Sequence, residues 1–181
     1  MANSVVRLDK VKSVYGGNIF SVRAPEEMQN GFVAHLGALE AGEREVYAIE
    51  KPTTASVAEK GLVLIAHSPI IYDNARMAAN SEQNYKIEAD EVVRAYEVAP
   101  RDIFSVTKEG LTLIGADAVA GNYVVAQNGA FKLKEVDTLV GTEKFVGKIV
   151  RQDQIGTSIA TGQFSGRILT YVVIEVVKNE I

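Results

Sequence analysis

Short apolar runs separated by turn residues recur along the whole chain, and they predict strands more often than helices. The longest run is 167–178 (RILTYVVIEVVK), in which both alternating sets of side chains are largely apolar. A strand with two apolar faces is typical of a position that is covered on both sides. We therefore predict that 167–178 is a central strand and that 121–178 forms the main sheet.

Turn signals divide the other apolar runs. Asn128-Gly129 lies between 123–127 and 130–134, and because Asn-Gly accepts the positive φ angles of a type I′ turn, this stretch predicts a β-hairpin. Asn30-Gly31 predicts a second turn. Further strands are predicted at 18–23, 31–36, 43–49, 61–66, 92–98, 102–107, 111–114 and 145–150.

The regular spacing of these strands, with a turn signal about every 8–12 residues, is typical of sandwiches and barrels. The predicted fold class is mostly β, an antiparallel β-sandwich or β-barrel with little helix. The best helical candidate is 74–83. Residues 1–16 show no clean period and predict an N-terminal arm. Residues 17–181 predict a single mostly-β domain, for which two lobes dividing near 75–90 are the alternative.

Composition narrows the classes of function. The 181 residues are 47% apolar and 23% charged, with a net charge of −4, which is ordinary for a globular protein. The acidic balance argues against a nucleic-acid partner bound by bulk charge. Apolar runs are too short for a transmembrane helix, and Arg7, Asp9 and Lys10 argue against a signal peptide, so no membrane partner is expected. The absence of cysteine excludes disulfides and thiol chemistry.

Candidate catalytic motifs are incomplete. Ser105 and Lys108 match S-x-x-K, but the companion motifs S-D-N and K-T-G are missing. Residues 162–166 read G-x-x-S-G, which is not the spacing of a nucleophile elbow. His35 and His67 are far apart in the sequence, and we expect half-exposed sheet residues and not metal ligands. The prediction is a protein without enzymatic activity, cofactor or metal.

A resemblance rests on the order of several segments without catalytic residues. These are 30–33 with 36–37, 42–46, 94–96, 102–107 and 146–148. Together they resemble the small head proteins of tailed bacteriophages, the decoration or cement proteins. The resemblance implies a structural virion protein that binds and stabilises the outer capsid surface. Its implied partner is the major capsid protein, with further copies of itself as a second partner. Its implied location is the head exterior of the virion, after synthesis in the host cytoplasm.

The N-terminal arm lies outside the resemblance. We expect its apolar side chains to lie in a groove between capsid subunits and its basic side chains to meet acidic patches on the shell. The predicted capsid-contact residues are Val5, Val6, Arg7, Leu8, Lys10 and Lys12. An equally weighted alternative is that 1–15 supplies an edge strand to its own sheet. For the function, the open alternatives are a tail or fibre component and a hydrolase that uses scattered carboxylates.

Overall fold

A computed structural model describes residues 3–68, 82–156 and 168–180, and in these ranges the chain is mostly β. The fold-class prediction is confirmed. One set of strands forms a closed barrel: β2 (Ile19–Arg23), β3 (Val33–Leu39), β4 (Val46–Glu50), β5 (Val63–Ile65) and β6 (Val92–Glu97). The other set forms an open sheet: β1 (Val6–Lys10), β7 (Ile103–Thr107), β8 (Leu111–Thr112), β9 (Tyr123–Ala126), β10 (Leu133–Val136), β11 (Phe145–Ile155) and β12 (Leu169–Asn179).

Helical structure in the described residues is short. It consists of α1 (Lys12–Gly16) and the 3-10 turns Ser56–Ala58, Glu82–Asn84 and Lys108–Gly110. The predicted helix at 74–83 lies almost entirely outside the described residues. No helix in the part of the chain that the structure describes is long and apolar enough to cross a membrane.

The barrel closes in the order β2-β4-β3-β5-β6, with β6 paired back to β2. Its pairs are antiparallel except β2–β4, which is parallel. The interior is filled by Val22, Ala24, Met28, Phe32, Ala34, Ile49, Val63, Ile65, Ile87, Val93, Ala95 and Phe131. On β5 and β6 these residues occur at every second position, as the alternation of side chains along a strand requires.

The open sheet has the order β1-β7-β12-β11-β9-β10-β8. β12 lies between β7 and β11, so the prediction of a central C-terminal strand is confirmed. Val172, Ile174 and Val176 point into the core, and Tyr171 and Val173 on the opposite face are also largely covered. The two apolar faces seen in the sequence therefore reflect burial on both sides.

The barrel packs on one face of the sheet, and β5 belongs to both cores. Val63 and Ile65 point into the barrel, whereas Leu62 and Leu64 point toward the sheet. Asn179 at the end of β12 connects the sheet to the barrel through hydrogen bonds. Its side chain accepts from the Leu62 N–H and donates to the carbonyls of Leu62 and Val98. The change from barrel strands to sheet strands lies between Glu97 and Ile103. A division into lobes near 75–90 stays a prediction.

The hairpin around Asn128-Gly129 is confirmed, but its turn is not the predicted type. β9 and β10 are antiparallel, with Ala126 opposite Leu133, so the connection is six residues long, 127–132. Gly129 has a φ of 69°, whereas Asn128 is not among the residues with positive φ. The reason is tertiary: Phe131 leaves the hairpin to fill the barrel interior, and its carbonyl accepts from the Val33 N–H at 2.8 Å.

The N-terminal residues supply the edge strand of the open sheet. β1 is antiparallel to β7, with Val6 opposite Val106 and Arg7 opposite Ser105. Val5 is only 4% exposed. For Val6–Lys10 the edge-strand alternative therefore describes the structure, and the free arm does not, because the apolar positions of this segment complete the main core.

Candidate functional site

The strongest candidate site is a groove on the face of the open sheet that points away from the barrel. Phe104, Val106, Val172 and Ile174 lie in the core, so their alternating neighbours on β7 and β12 point outward. The register aligns Arg7, Ser105, Val173 and Arg151 in one row across four strands. A second row contains Ile103, Glu175 and Lys148.

Both outer strands of this four-stranded patch are irregular beside the first row. β1 has a register shift between Arg7 and Lys10, and β11 has one between Ile149 and Arg151. A β-bulge adds a residue on one strand, bends that strand and redirects side chains. Arg7 and Asp9 share the outer face by ordinary alternation, whereas the shift in β11 lets the adjacent residues Val150 and Arg151 both line it.

The resulting cavity, called the outer groove below, has a volume of 360 Å³. Its lining residues are Arg7, Asp9, Ile103, Ser105, Val150, Arg151, Asp153, Val173 and Glu175. Ile103, Val150 and Val173 give it apolar surface, and the charged side chains come from β1, β11 and β12. Because every lining residue lies on a paired strand, the groove is held by the backbone ladder of the sheet.

Two ion pairs lie along the outer groove. Arg7 Nη2 is 3.3 Å from Asp9 Oδ1, and Arg151 Nε is 2.9 Å from Asp153 Oδ1. The Ser105 hydroxyl donates to the second oxygen of Asp9. Each arginine thus stands beside its carboxylate on the same strand, so both walls carry a neutral pair.

Tyr171 extends the groove at the side of the first row. The Arg7 guanidinium lies 5.4 Å from the centre of the Tyr171 ring, within cation–π range. Burial raises the pKa of the Tyr171 hydroxyl, Glu82 and Asp9 raise it further, and Arg7 opposes them. The phenol therefore stays a neutral hydrogen-bonding group at ordinary pH.

The S-x-x-K match does not form a catalytic pair. Ser105 donates to Asp9 on the outer face, whereas Lys108 lies in the next turn with its Nζ 3.5 Å from Asp117 Oδ1. The two side chains have different partners. Residues 162–166, the other serine-containing candidate, lie outside the described residues.

Of the two histidines, only His35 differs from the half-exposed residue that we expected. His35 is fully buried, because the Gly61 segment covers its face of β3 and the Gly61 carbonyl lies 2.8 Å from Nδ1. His67 is half-buried and stacks on the Tyr85 ring. No group of three metal-ligating side chains occurs within residues 3–68, 82–156 and 168–180.

The predicted capsid-contact residues separate to different places. Arg7 points into the outer groove, and Lys10 is exposed at the end of β1. Lys12 begins α1, where its N–H donates to buried Asp102. The apolar members point the other way, toward the barrel, where they line a smaller cavity of 150 Å³. Those apolar members are Val5, Val6 and Leu8.

The outer groove contains functional candidates that the sequence did not indicate. Asp9 comes from β1, whereas Arg151, Asp153 and Glu175 come from β11 and β12, much later in the chain. Their only local signal is the placement of a charged residue at an outward position of an otherwise apolar strand, as for Glu175 in β12. The pairing of β1 with β7, and of β7 with β12, is what brings them together.

The fold is a closed five-stranded barrel packed on a seven-stranded sheet, and the outer face of that sheet carries a charged groove. This architecture is the class of protein that the structure defines. The comparisons add no narrower identity, since the chain matches no protein-family model, no curated protein and no solved structure.

Proposed function

We propose that this chain is a structural protein of a tailed-bacteriophage head, a decoration protein that binds the outer capsid surface through the outer groove. Its partner is the major capsid protein, and its place is the exterior of the virion. The sequence resemblance supports this reading, and one of its segments, 102–107, supplies Ile103 and Ser105 to the groove.

The observation that carries the proposal is the mixed character of the outer groove on a rigid support. Protein–protein interfaces combine apolar contact with polar groups that are already oriented. The groove offers Val173 and Ile103 between the Arg7–Asp9 and Arg151–Asp153 pairs. A partner loop would therefore meet apolar surface in the middle and charges on both walls.

The two parts of the groove contribute differently to affinity. Arg151 is 67% exposed at its side chain, and a contact at such an exposed rim contributes only about 0–1 kcal/mol. The enclosed apolar centre should contribute more, because binding energy concentrates where water is excluded. The charges set the orientation of the partner.

The test is co-sedimentation of the purified protein with capsids of the phage whose genome encodes it. Ile103→Ala removes half-buried apolar surface from the centre of the groove, and we expect it to weaken binding about tenfold, about 1.4 kcal/mol. Ile114→Ala is the matched control, because Ile114 is a 61% exposed isoleucine outside the groove, and it should bind as the wild type does. Deleting the N-terminal residues is a poor test, since it removes β1 and buried Val5.

Failure of the wild-type protein to sediment with these capsids would refute the proposal. Equal binding by the wild type and Ile103→Ala would refute the role of the outer groove. Sedimentation with purified tails instead of capsids would favour the tail or fibre alternative.

A further inference from the structure

The outer groove has an unbalanced charge at Glu175. Its other four charged lining residues form two ion pairs, Arg7 with Asp9 and Arg151 with Asp153. Glu175 makes no ion pair or side-chain hydrogen bond with any residue in the described ranges, although Lys148 stands opposite it on β11. The groove lining therefore carries two cations and three carboxylates, a net charge of −1.

The position of Glu175 makes this imbalance relevant to binding. It lies on the central strand β12 and is half-buried. In the register it is opposite Ile103, and Val173 is the preceding outward residue on its own strand. A carboxylate beside apolar surface can bind the side chain of a lysine or arginine, because the alkyl stem packs on the apolar groups while the cationic end contacts the carboxylate.

We propose that Glu175 is the specificity residue of the outer groove and binds an arginine or lysine side chain of the protein partner. The inference rests on the proposed function, since it names the chemistry of the group that the groove takes. The stem of the bound side chain lies over Ile103 and Val173, and its cation forms charge-assisted hydrogen bonds with the Glu175 carboxylate.

Two features of the groove favour a basic side chain over other occupants. The described residues contain no group of three ligands that could hold a metal ion, so an organic cation fits better than a divalent metal. An acidic partner side chain would instead face three carboxylates, while both arginines already have partners. Charge complementarity therefore selects a basic group.

The test uses a peptide probe and the full-length protein. The probe is acetyl-Gly-Val-Arg-Val-Gly-amide, and its control has citrulline, which is neutral and of the same shape, in place of arginine. Amide chemical shifts are followed by NMR during titration. We expect the arginine peptide to shift residues 103–105 and 173–175, and to bind about tenfold more tightly than the citrulline peptide, about 1.4 kcal/mol.

Glu175→Gln should remove that tenfold preference while leaving the spectrum of the rest of the protein unchanged. Glu97→Gln is the matched control, because Glu97 is another half-buried strand glutamate outside the groove, and it should keep the preference. Equal binding of the two peptides, shifts confined to other surfaces, or an unchanged preference in Glu175→Gln would each overturn the inference.

The capsid assay separates this inference from the proposed function. If capsids bind the wild type and Glu175→Gln equally, the role of Glu175 is wrong and the capsid function stands. If the arginine peptide binds in a Glu175-dependent way but capsids are not bound, the inference stands and the capsid function is wrong.

Discussion

The buried carboxylate of Glu135 binds the 113–122 loop through hydrogen bonds, and replacing Glu135 should lower the free energy of unfolding. The side chain is fully buried in β10. One carboxylate oxygen accepts from the Val119 N–H at 2.9 Å and from Asn122 Nδ2 at 2.8 Å, and the other accepts from the Ile114 N–H at 3.2 Å. No cation within 4 Å balances the charge in the described part of the chain. The three donors alone hold the carboxylate.

The expected magnitudes follow from these three bonds. A hydrogen bond to a charged group contributes about 1.5–3 kcal/mol. Ile114 and Val119 are 61% and 55% exposed, so water would replace part of what Glu135→Ala removes, and we expect a net loss of about 3 kcal/mol. Glu135→Gln keeps one acceptor oxygen, which retains the Val119 and Asn122 bonds, but it turns an amide N–H₂ toward the Ile114 N–H. Its loss should be smaller, about 1–2 kcal/mol.

The assay is urea unfolding at neutral pH, followed by far-ultraviolet circular dichroism. Glu143→Ala is the control, because Glu143 also accepts two backbone N–H groups, those of Val140 and Gly141, but within one exposed loop. It should cost about 1 kcal/mol or less. The reasoning fails if Glu135→Ala unfolds within about 0.5 kcal/mol of the wild type, or if the Gln variant loses as much as the Ala variant.

Two other predictions concern the core and the barrel surface. Ile174→Ala should lower the free energy of unfolding by about 2–4 kcal/mol because Ile174 is fully buried. Val177→Ala, at a 51% exposed position of the same strand, should lower it far less. Similar losses for the two variants in urea unfolding would contradict the central position of β12. Burial raises the pKa of Tyr85 from 10.0 to about 12, and Glu91 adds to the shift through its charge and the bond from the Tyr85 hydroxyl. The stability that neutral Tyr85 supplies is thus complete below pH 10 and is lost as the pH rises toward 12. Phenolate absorbance should show a late transition whose amplitude decreases in Tyr85→Phe, and an unchanged amplitude would refute the assignment.

Local sequence patterns predict the strands of this protein well, because the apolar and polar positions along each strand reflect which of its faces are buried. The apolar run at 61–66 corresponds to β5, which is covered on both faces, and the two-faced run at 167–178 corresponds to β12. The hairpin at Asn128-Gly129 was also predictable, but its turn geometry was not. Phe131 is needed in the barrel, and no local rule indicates a core that lies outside the hairpin.

The candidate site was much less predictable, because it depends on which strands are neighbours. The sequence predicts that Arg7 is a basic residue of an N-terminal arm. Its position in the outer groove follows from the pairing of β1 with β7, about a hundred residues later in the chain. Glu175 could be recognised as a lone acidic residue in an apolar strand, but not as a neighbour of Ile103. Val5 was expected to contact a partner and is instead buried, because apolar residues of an edge strand serve its own core as readily as a partner.

The shared strand β5 has a consequence for the order in which the protein can form during synthesis. Once Glu97 has left the ribosome, all five barrel strands are present, and among the buried residues of the barrel interior only Phe131 is still to come. Leu62 and Leu64 must wait for β12, and the Asn179 side chain that bonds to Leu62 is among the last described residues to appear. A growing chain therefore exposes the apolar side chains of Leu62 and Leu64 on the barrel until the strands of the sheet have been synthesised. It is most prone to aggregation or proteolysis in that interval.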